Sequence, residues 1–165
     1  MTEEIRHNYE VSSEGAVRHW EIPYARLEDA TPTPSLPAAV TSVLPGTQLT
    51  GTILTIDADD SVAVIDFTCS MVYWQEVRNV LTYDAEAEDT FGAINIGDCI
   101  YYDGSATMPA GVKLSTSPLD NLGVANPLFG FAVPKNDADM ALFAKGGATA
   151  ATVEVAVMQV GAGAR

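Results

Sequence analysis

Basic residues are scarce in this sequence of 165 residues. It has 8 Lys and Arg against 22 Asp and Glu, which gives a formal net charge of −14 at pH 7. DNA, RNA and anionic lipid surfaces are also negative and would repel such a chain. We therefore predict no nucleic-acid partner and no membrane partner, and we expect partners that are neutral or cationic.

Cysteine and histidine are rare as well, with two residues of each. Cys69, Cys99, His7 and His19 do not show the paired spacing of a zinc site. We predict no metal site and no cofactor. Buried, reduced thiols are the favoured interpretation of the two cysteines, and a disulfide between them stays open because spacing along the chain does not settle proximity.

Long apolar segments are also missing. The first 14 residues carry five charged side chains and no apolar core of a secretory signal. The long uncharged run at 30–56 contains four prolines, which exclude a membrane-spanning helix. We expect the chain to fold in a cytoplasm.

Catalytic motifs are absent from the sequence. It contains neither G-x-S-x-G nor H-E-x-x-H, and the two histidines available as bases both lie within the first 20 residues. The many carboxylates allow a hydrolytic pair, but their abundance makes any such pair nonspecific. We predict a protein without enzymatic activity and without catalytic residues.

Acidic clusters give weak cation signals. Asp57, Asp59 and Asp60 resemble part of a calcium-binding loop, but the glycine and the glutamate that such a loop needs are missing. The acidic stretch at 84–89 is typical of a solvated loop. Ordinary turns are the favoured interpretation of both, and weak cation binding stays open.

Strand and turn patterns dominate the sequence from residue 51 onward. The β-branched and apolar runs at 52–56 and 62–67 flank turn residues, which predicts a hairpin. Further strands are predicted over 95–102, 112–115, 128–133 and 152–160. Short strands at this spacing predict a mainly β fold, either a small β-barrel or a β-sandwich.

Two segments have a helical pattern. Apolar residues in 71–81 recur with a period of 3.6, which would place Trp74 in the core. Residues 136–146 begin with an Asn cap and acidic residues and end at a glycine. We therefore expect one or two short helices on the β body.

The composition changes near residue 51. Residues 1–50 combine a mixed-charge start with the proline-rich stretch at 31–37, which favours an extended path. We predict an extended N-terminal arm or edge segment over 1–50 and a β-barrel or β-sandwich body over 51–165. Within the arm, residues 17–22 alternate and also fit a strand.

Aromatic and apolar side chains in the predicted arm are candidates for an interface, because aromatic residues often dominate binding surfaces. The alternative is that Trp20 packs onto the body of the protein itself. Both interpretations stay open. The candidate interface residues are His19, Trp20, Ile22, Tyr24 and Leu36.

Three segments resemble tailed-phage capsid decoration proteins, also called cement or capsid-stabilising proteins. They are I-G-D-C-I-Y-Y-D-G-S from Ile96, K-L-S-T-S-P-L-D from Lys113 and A-N-P-L-F-G-F-A-V from Ala125. In that family a G-D-x-(V/I)-Y-(W/Y)-D strand and turn is followed by a K-L-(S/T) strand and an (I/L)-(F/I/V)-G-x-A strand. Residues 97–103, 113–115 and 128–132 match these patterns.

The resemblance implies a non-enzymatic β-barrel or β-sandwich that binds the outer surface of an assembled capsid and stabilises it. It also implies a homotrimer near the three-fold positions of the shell, with the major capsid protein as partner. Such a protein is made in the host cytoplasm and ends on the virion. The residues leave one alternative open, a glycan-binding or fibre-like module on a particle surface, with Tyr101, Tyr102 and Trp20 as contacts.

Overall fold

The computed structural model describes residues 18–80, 93–134 and 151–161. Within these ranges the chain forms two β-sheets and a single 3-10 turn, so the mainly β fold predicted from the sequence is confirmed. No helix in these ranges is long and apolar enough to cross a membrane. The elements are β1 (His19–Pro23), the 3-10 turn (Tyr24–Arg26), β2 (Pro37–Ala39), β3 (Thr50–Asp57), β4 (Val62–Asp66), β5 (Val72–Arg78), β6 (Cys99–Tyr102), β7 (Leu114–Ser115), β8 (Leu128–Ala132) and β9 (Thr152–Gln159).

The first sheet has four antiparallel strands in the order β1-β4-β3-β2. Its centre is the predicted hairpin of β3 and β4, which is confirmed. The carboxylate of Asp57 closes the hairpin turn by accepting the backbone N–H groups of Asp59 and Asp60. These aspartates act as turn residues, because a short side chain can cap the backbone two residues further on.

The described part of the predicted arm supplies the two outer strands of this sheet, β1 and β2. Ile22, Leu27 and Ala38 from this part lie in the core of the sheet with Ile65 and Phe67. Strand β3 begins at Thr50, so the boundary predicted near residue 51 falls inside a paired strand. Residues 1–17 lie outside the described residues.

The second sheet is a closed barrel in the order β5-β7-β6-β8-β9. β9 pairs antiparallel with β5 from Val72↔Met158 to Arg78↔Thr152, which closes the barrel, while β5 and β7 run parallel. Gly130 lets β8 lie against β9, because a Cβ at this position would overlap the carbonyl oxygen of Met158. The strands predicted at 95–102, 112–115, 128–133 and 152–160 are confirmed, with bounds shorter by one to four residues at the ends.

The helix predicted over 71–81 is wrong, because β5 occupies residues 72–78. In this strand Gln75 and Val77 point inward and Trp74 and Glu76 outward, so Trp74 is 38% exposed rather than part of the core. Pairing along the whole of β9 outweighs the helical period of a few apolar residues. The helix predicted over 136–146 lies outside the described residues.

The cysteines also differ from the prediction. Cys69 and Cys99 are both exposed, and they form no disulfide. Cys99 occupies an outward position at the start of β6, where the strand alternates between its two faces, and Cys69 lies in the turn after β4. Burial of the thiols was therefore wrong.

The sheet and the barrel are joined by the buried side chain of Gln159, the last residue of β9. Its Nε2 donates to the backbone carbonyl oxygens of Asp66 and Thr68, both at 2.9 Å. Its Oε1 accepts from the Thr52 hydroxyl at 3.0 Å. The junction is completed by Ala39 of β2, which packs in the barrel core with Phe129 and its neighbours. All polar atoms of one amide are thus used to connect the two sheets.

We expect Gln159→Leu to lower the free energy of unfolding by about 3 kcal/mol, because it leaves buried groups on both sheets without their hydrogen bonds. Met158→Leu, a volume-conserving change at the adjacent position of β9, should lower it by less than about 1.5 kcal/mol. Urea denaturation of both variants measures the difference. Equal losses in the two variants would contradict the role given to the amide.

Candidate functional site

The predicted interface residues Trp20, Ile22 and Tyr24 pack into the protein itself. Ile22 is 5% exposed in the core of the sheet, and Trp20 and Tyr24 pack against the same cluster. The Trp20 ring meets Phe67 edge to face, with the ring centroids 5.9 Å apart. The structure therefore favours the interpretation in which Trp20 packs onto the body of the protein.

The remaining two candidates are half-buried. Leu36 precedes β2, and its carbonyl oxygen accepts from the backbone N–H of Ile53. The Nε2 of His19 lies 3.7 Å from a carboxylate oxygen of the buried Asp66. None of the five candidates is fully exposed, so the structure does not bring them together as an open surface.

Asp66 is the centre of a polar group that connects β1, β4 and β5. It accepts the backbone N–H of Thr68 and the hydroxyl of Tyr73, and His19 lies beside it. Burial raises the pKa of Tyr73 above its usual value, and the hydrogen bond to Asp66 raises it further. Tyr73 belongs to the barrel and Asp66 to the sheet, so this group is a second connection between them.

Two loops expose large aliphatic side chains that do not belong to either hydrophobic core. Val43 and Leu44 in the β2–β3 loop are 104% and 61% exposed, and Leu122 and Val124 in the β7–β8 loop are 81% and 43% exposed. The loops meet, since a Cβ built on Gly46 would lie 3.1 Å from the Cβ of Ala125. We call these four side chains the two-loop surface.

Both loops are held by their own hydrogen bonds. Asp120 Oδ1 accepts the backbone N–H groups of Leu122 and Val124, each at 2.8 Å. In the other loop, Thr47 donates its hydroxyl to the carbonyl oxygen of Leu44 at 2.6 Å. The exposed aliphatic side chains of both loops are therefore carried by hydrogen-bonded turns.

A pocket of about 240 Å³ opens beside the two-loop surface, between the sheet and the barrel. Three carboxylates line it, and Val124 and Ala125 belong to its wall as well as to the apolar loop. Burial raises the pKa of the Tyr102 hydroxyl above its usual value, and the nearby charges of Asp29, Glu28 and Asp103 raise it further. The lining residues used below are Glu28, Gln48, Tyr102, Asp103, Ser105 and Asp120.

Two buried polar atoms of the pocket residues make no hydrogen bond to the described part of the chain. They are the hydroxyl of Tyr102, a residue that is 2% exposed, and Oε1 of Gln48. The Nε2 of the same glutamine donates to Glu28 Oε1 at 3.2 Å, which orients the amide. Buried polar groups without partners are rare in native proteins and mark places where a ligand can supply the missing bond.

Metal binding finds no support among the residues that the structure describes. No three His, Cys, Asp or Glu side chains within these ranges lie close enough together to hold one ion. The three carboxylates that line the pocket are therefore not such a group. The acidic stretch at 84–89 lies outside the described residues.

The sequence carried a partial signal for the two-loop surface and none for the pocket. Aliphatic residues beside turn residues, as in Leu44-Pro45-Gly46 and Leu122-Gly123, can indicate exposed tips. Glu28, Gln48 and Tyr102 are brought together only by the packing of sheet on barrel. Comparison of the chain with protein-family models, curated proteins and solved structures found no match.

The raised pKa of Tyr73 predicts that stability falls at alkaline pH. The folded chain keeps the Tyr73 proton at pH values where the unfolded chain, with a pKa of about 10, has lost it, so the unfolded state binds fewer protons there. At pH 8 we expect Tyr73→Phe to lower the free energy of unfolding by about 1–3 kcal/mol, because Asp66 loses a buried hydrogen-bond donor. Near pH 11 the difference in this free energy between variant and wild type should be smaller. Urea denaturation at both pH values measures this, and a difference independent of pH would contradict it.

The corresponding substitution at Tyr102, in contrast, should not lower the free energy of unfolding. Its hydroxyl is buried without a partner among the described residues, so Tyr102→Phe removes a polar group whose burial is unfavourable. We expect this variant to be as stable as wild type or more stable by about 1 kcal/mol. Tyr73→Phe is the matched control in the same denaturation series. A clear loss for Tyr102→Phe would mean that the hydroxyl has an intramolecular partner.

Proposed function

We propose that the chain is a non-enzymatic structural protein that binds the outer surface of a phage capsid through its two-loop surface and stabilises the shell. The observation that carries this proposal is the pair of ordered loops with four exposed aliphatic side chains. Its partner would be the major capsid protein, and its place the outer face of the virion.

The physical argument is that such a surface is suited to binding a protein. Exposed aliphatic residues on two adjoining loops are unfavourable in water, and covering them with a partner is favourable. Because turns already fix both tips, less conformational entropy is lost on binding. The apolar patch lies beside carboxylates, the arrangement of an apolar interface centre with a polar rim.

The resemblance to decoration proteins adds the identity of the partner. The three matching segments follow one another closely in sequence, and they contain β6, β7 and β8, which are neighbours in the barrel. This placement supports the proposal, since the three segments supply strands of one paired unit of the barrel. As the resemblance implies, we propose a homotrimer near the three-fold positions of the shell.

The glycan-binding alternative gains no support from the described residues. Tyr102 is 2% exposed, Tyr101 is half-buried, and Trp20 packs against Phe67. A sugar ring stacks on the open face of an aromatic side chain, and these three do not form an open platform.

Charges placed on the loop tips should abolish binding to the capsid. We expect the double variant Val43→Asp/Leu122→Asp to bind at least about thirtyfold more weakly, since burying polar groups without partners in an apolar interface costs about 2 kcal/mol or more in total. Co-sedimentation with shells assembled from the major capsid protein of the same genome measures the affinity. Ile56→Asp, at an exposed position of β3, is the matched control and should bind as wild type.

Cryo-electron microscopy of the decorated shells completes this experiment. We expect three copies around each occupied three-fold position, with the two-loop surface toward the shell. Undiminished binding of the folded double variant, or loops that point away from the shell, would contradict the proposal.

A further inference from the structure

We propose that the acidic pocket beside the two-loop surface receives the guanidinium group of an arginine side chain from the docked protein. This inference rests on the proposed function, because it makes the pocket part of the same interface. It adds the chemical group that the partner must present.

The charge of the pocket favours a cation. Glu28, Asp103 and Asp120 line it, and its lining residues include neither Lys nor Arg. The nearby Lys113 is already paired, with its Nζ 2.8 Å from a carboxylate oxygen of Asp29. Glu28 and Asp120 therefore line a partly enclosed space to which its described lining residues contribute no cation.

The unpartnered atoms favour a cation that carries several hydrogen-bond donors. Gln48 Oε1 can only accept, and its amide is held in place by the bond from Nε2 to Glu28. The Tyr102 oxygen can also accept. Two residues that line the pocket thus contain buried acceptors without a partner among the described residues, and each is unfavourable until it receives a hydrogen bond.

The volume of the pocket and the positions of its acceptors favour a guanidinium group over a metal ion. A metal ion needs its oxygen ligands within about 2–2.6 Å, and no three carboxylates among the described residues are grouped closely enough. The pocket of about 240 Å³ has room for a planar group. Guanidinium presents five N–H donors in a fixed plane, is always charged, and is less strongly hydrated than an ammonium group.

The position of the pocket identifies the source of the arginine. Val124 and Ala125 form part of its wall, and Asp120 both lines it and holds the backbone of the exposed tip at Leu122. A protein that covers the two-loop surface therefore also covers the mouth of the pocket. An arginine in an apolar setting is a frequent centre of a protein interface.

The pocket is tested directly on the full chain with small probes, without any capsid. The probes are N-acetyl-arginine amide, N-acetyl-lysine amide and N-acetyl-citrulline amide, and citrulline keeps the shape of arginine but has no charge. We expect the arginine probe to shift the NMR signals of the Gln48 side-chain amide and the Ser105 backbone amide. The lysine probe should bind more weakly, and the citrulline probe should leave both signals unchanged.

Variants of the pocket locate the binding. Glu28→Gln removes one carboxylate and should weaken the arginine probe about fivefold, as expected for a charge-assisted hydrogen bond at a partly exposed site. Gln48→Met removes the unpartnered acceptor and should also weaken it. The matched control is Glu76→Gln on the exposed face of β5, which should have no effect.

The outcomes separate this inference from the proposed function. The arginine site is supported if Glu28→Gln binds both the arginine probe and the capsid more weakly than wild type does. Equal binding of arginine and citrulline probes, or calcium that displaces the arginine probe at a stoichiometric concentration, overturns it. Wild-type capsid binding by Glu28→Gln also overturns it but leaves the proposed function intact, whereas loss of binding only in Val43→Asp/Leu122→Asp supports the proposed function alone.

Discussion

The buried hydrogen bonds of Gln159 are the interaction on which the rest of the structure depends. This residue ends β9, the strand that closes the barrel against β5, and its amide binds the backbone of the sheet. Tyr73 and Asp66 make a second connection nearby. Polar contacts of this kind are directional, so they fix one orientation of the sheet on the barrel in a way that apolar packing alone does not.

The functional surface is a product of that orientation. The sheet supplies Val43, Leu44, Glu28 and Gln48, while the barrel supplies Leu122 and the remaining walls of the pocket. Neither sheet contains the surface by itself. A small rotation at the junction would separate Gly46 from Ala125 and divide both the apolar patch and the acidic pocket.

Local chemistry explains which parts of the fold the sequence predicts well. The hairpin of β3 and β4 follows from β-branched runs on both sides of an aspartate-capped turn, and β8 matches its apolar run within one residue. β5 was predicted as a helix because Met71, Trp74 and Val77 have helical spacing. Its strand state depends on β9, about 80 residues away in sequence, which no local pattern contains.

The candidate site was harder to predict for the same reason. Aromatic residues in the first 50 positions suggested an interface, but Trp20 and Ile22 occupy alternate positions of a strand whose inner face is core. The pocket joins residues from position 28 to position 127. Its most informative atoms are hydroxyl and amide oxygens without partners, a property that exists only once the chain is folded.

The meeting of the two loops has a consequence for how the protein responds to a partner. Any molecule that touches both tips spans the sheet and the barrel and binds only while the two are docked. By mass action, such a molecule stabilises the docked arrangement by a free energy that grows with the logarithm of one plus its concentration divided by its dissociation constant. Binding of a partner at the loops would therefore slow the hydrogen exchange of the Gln159 side-chain amide.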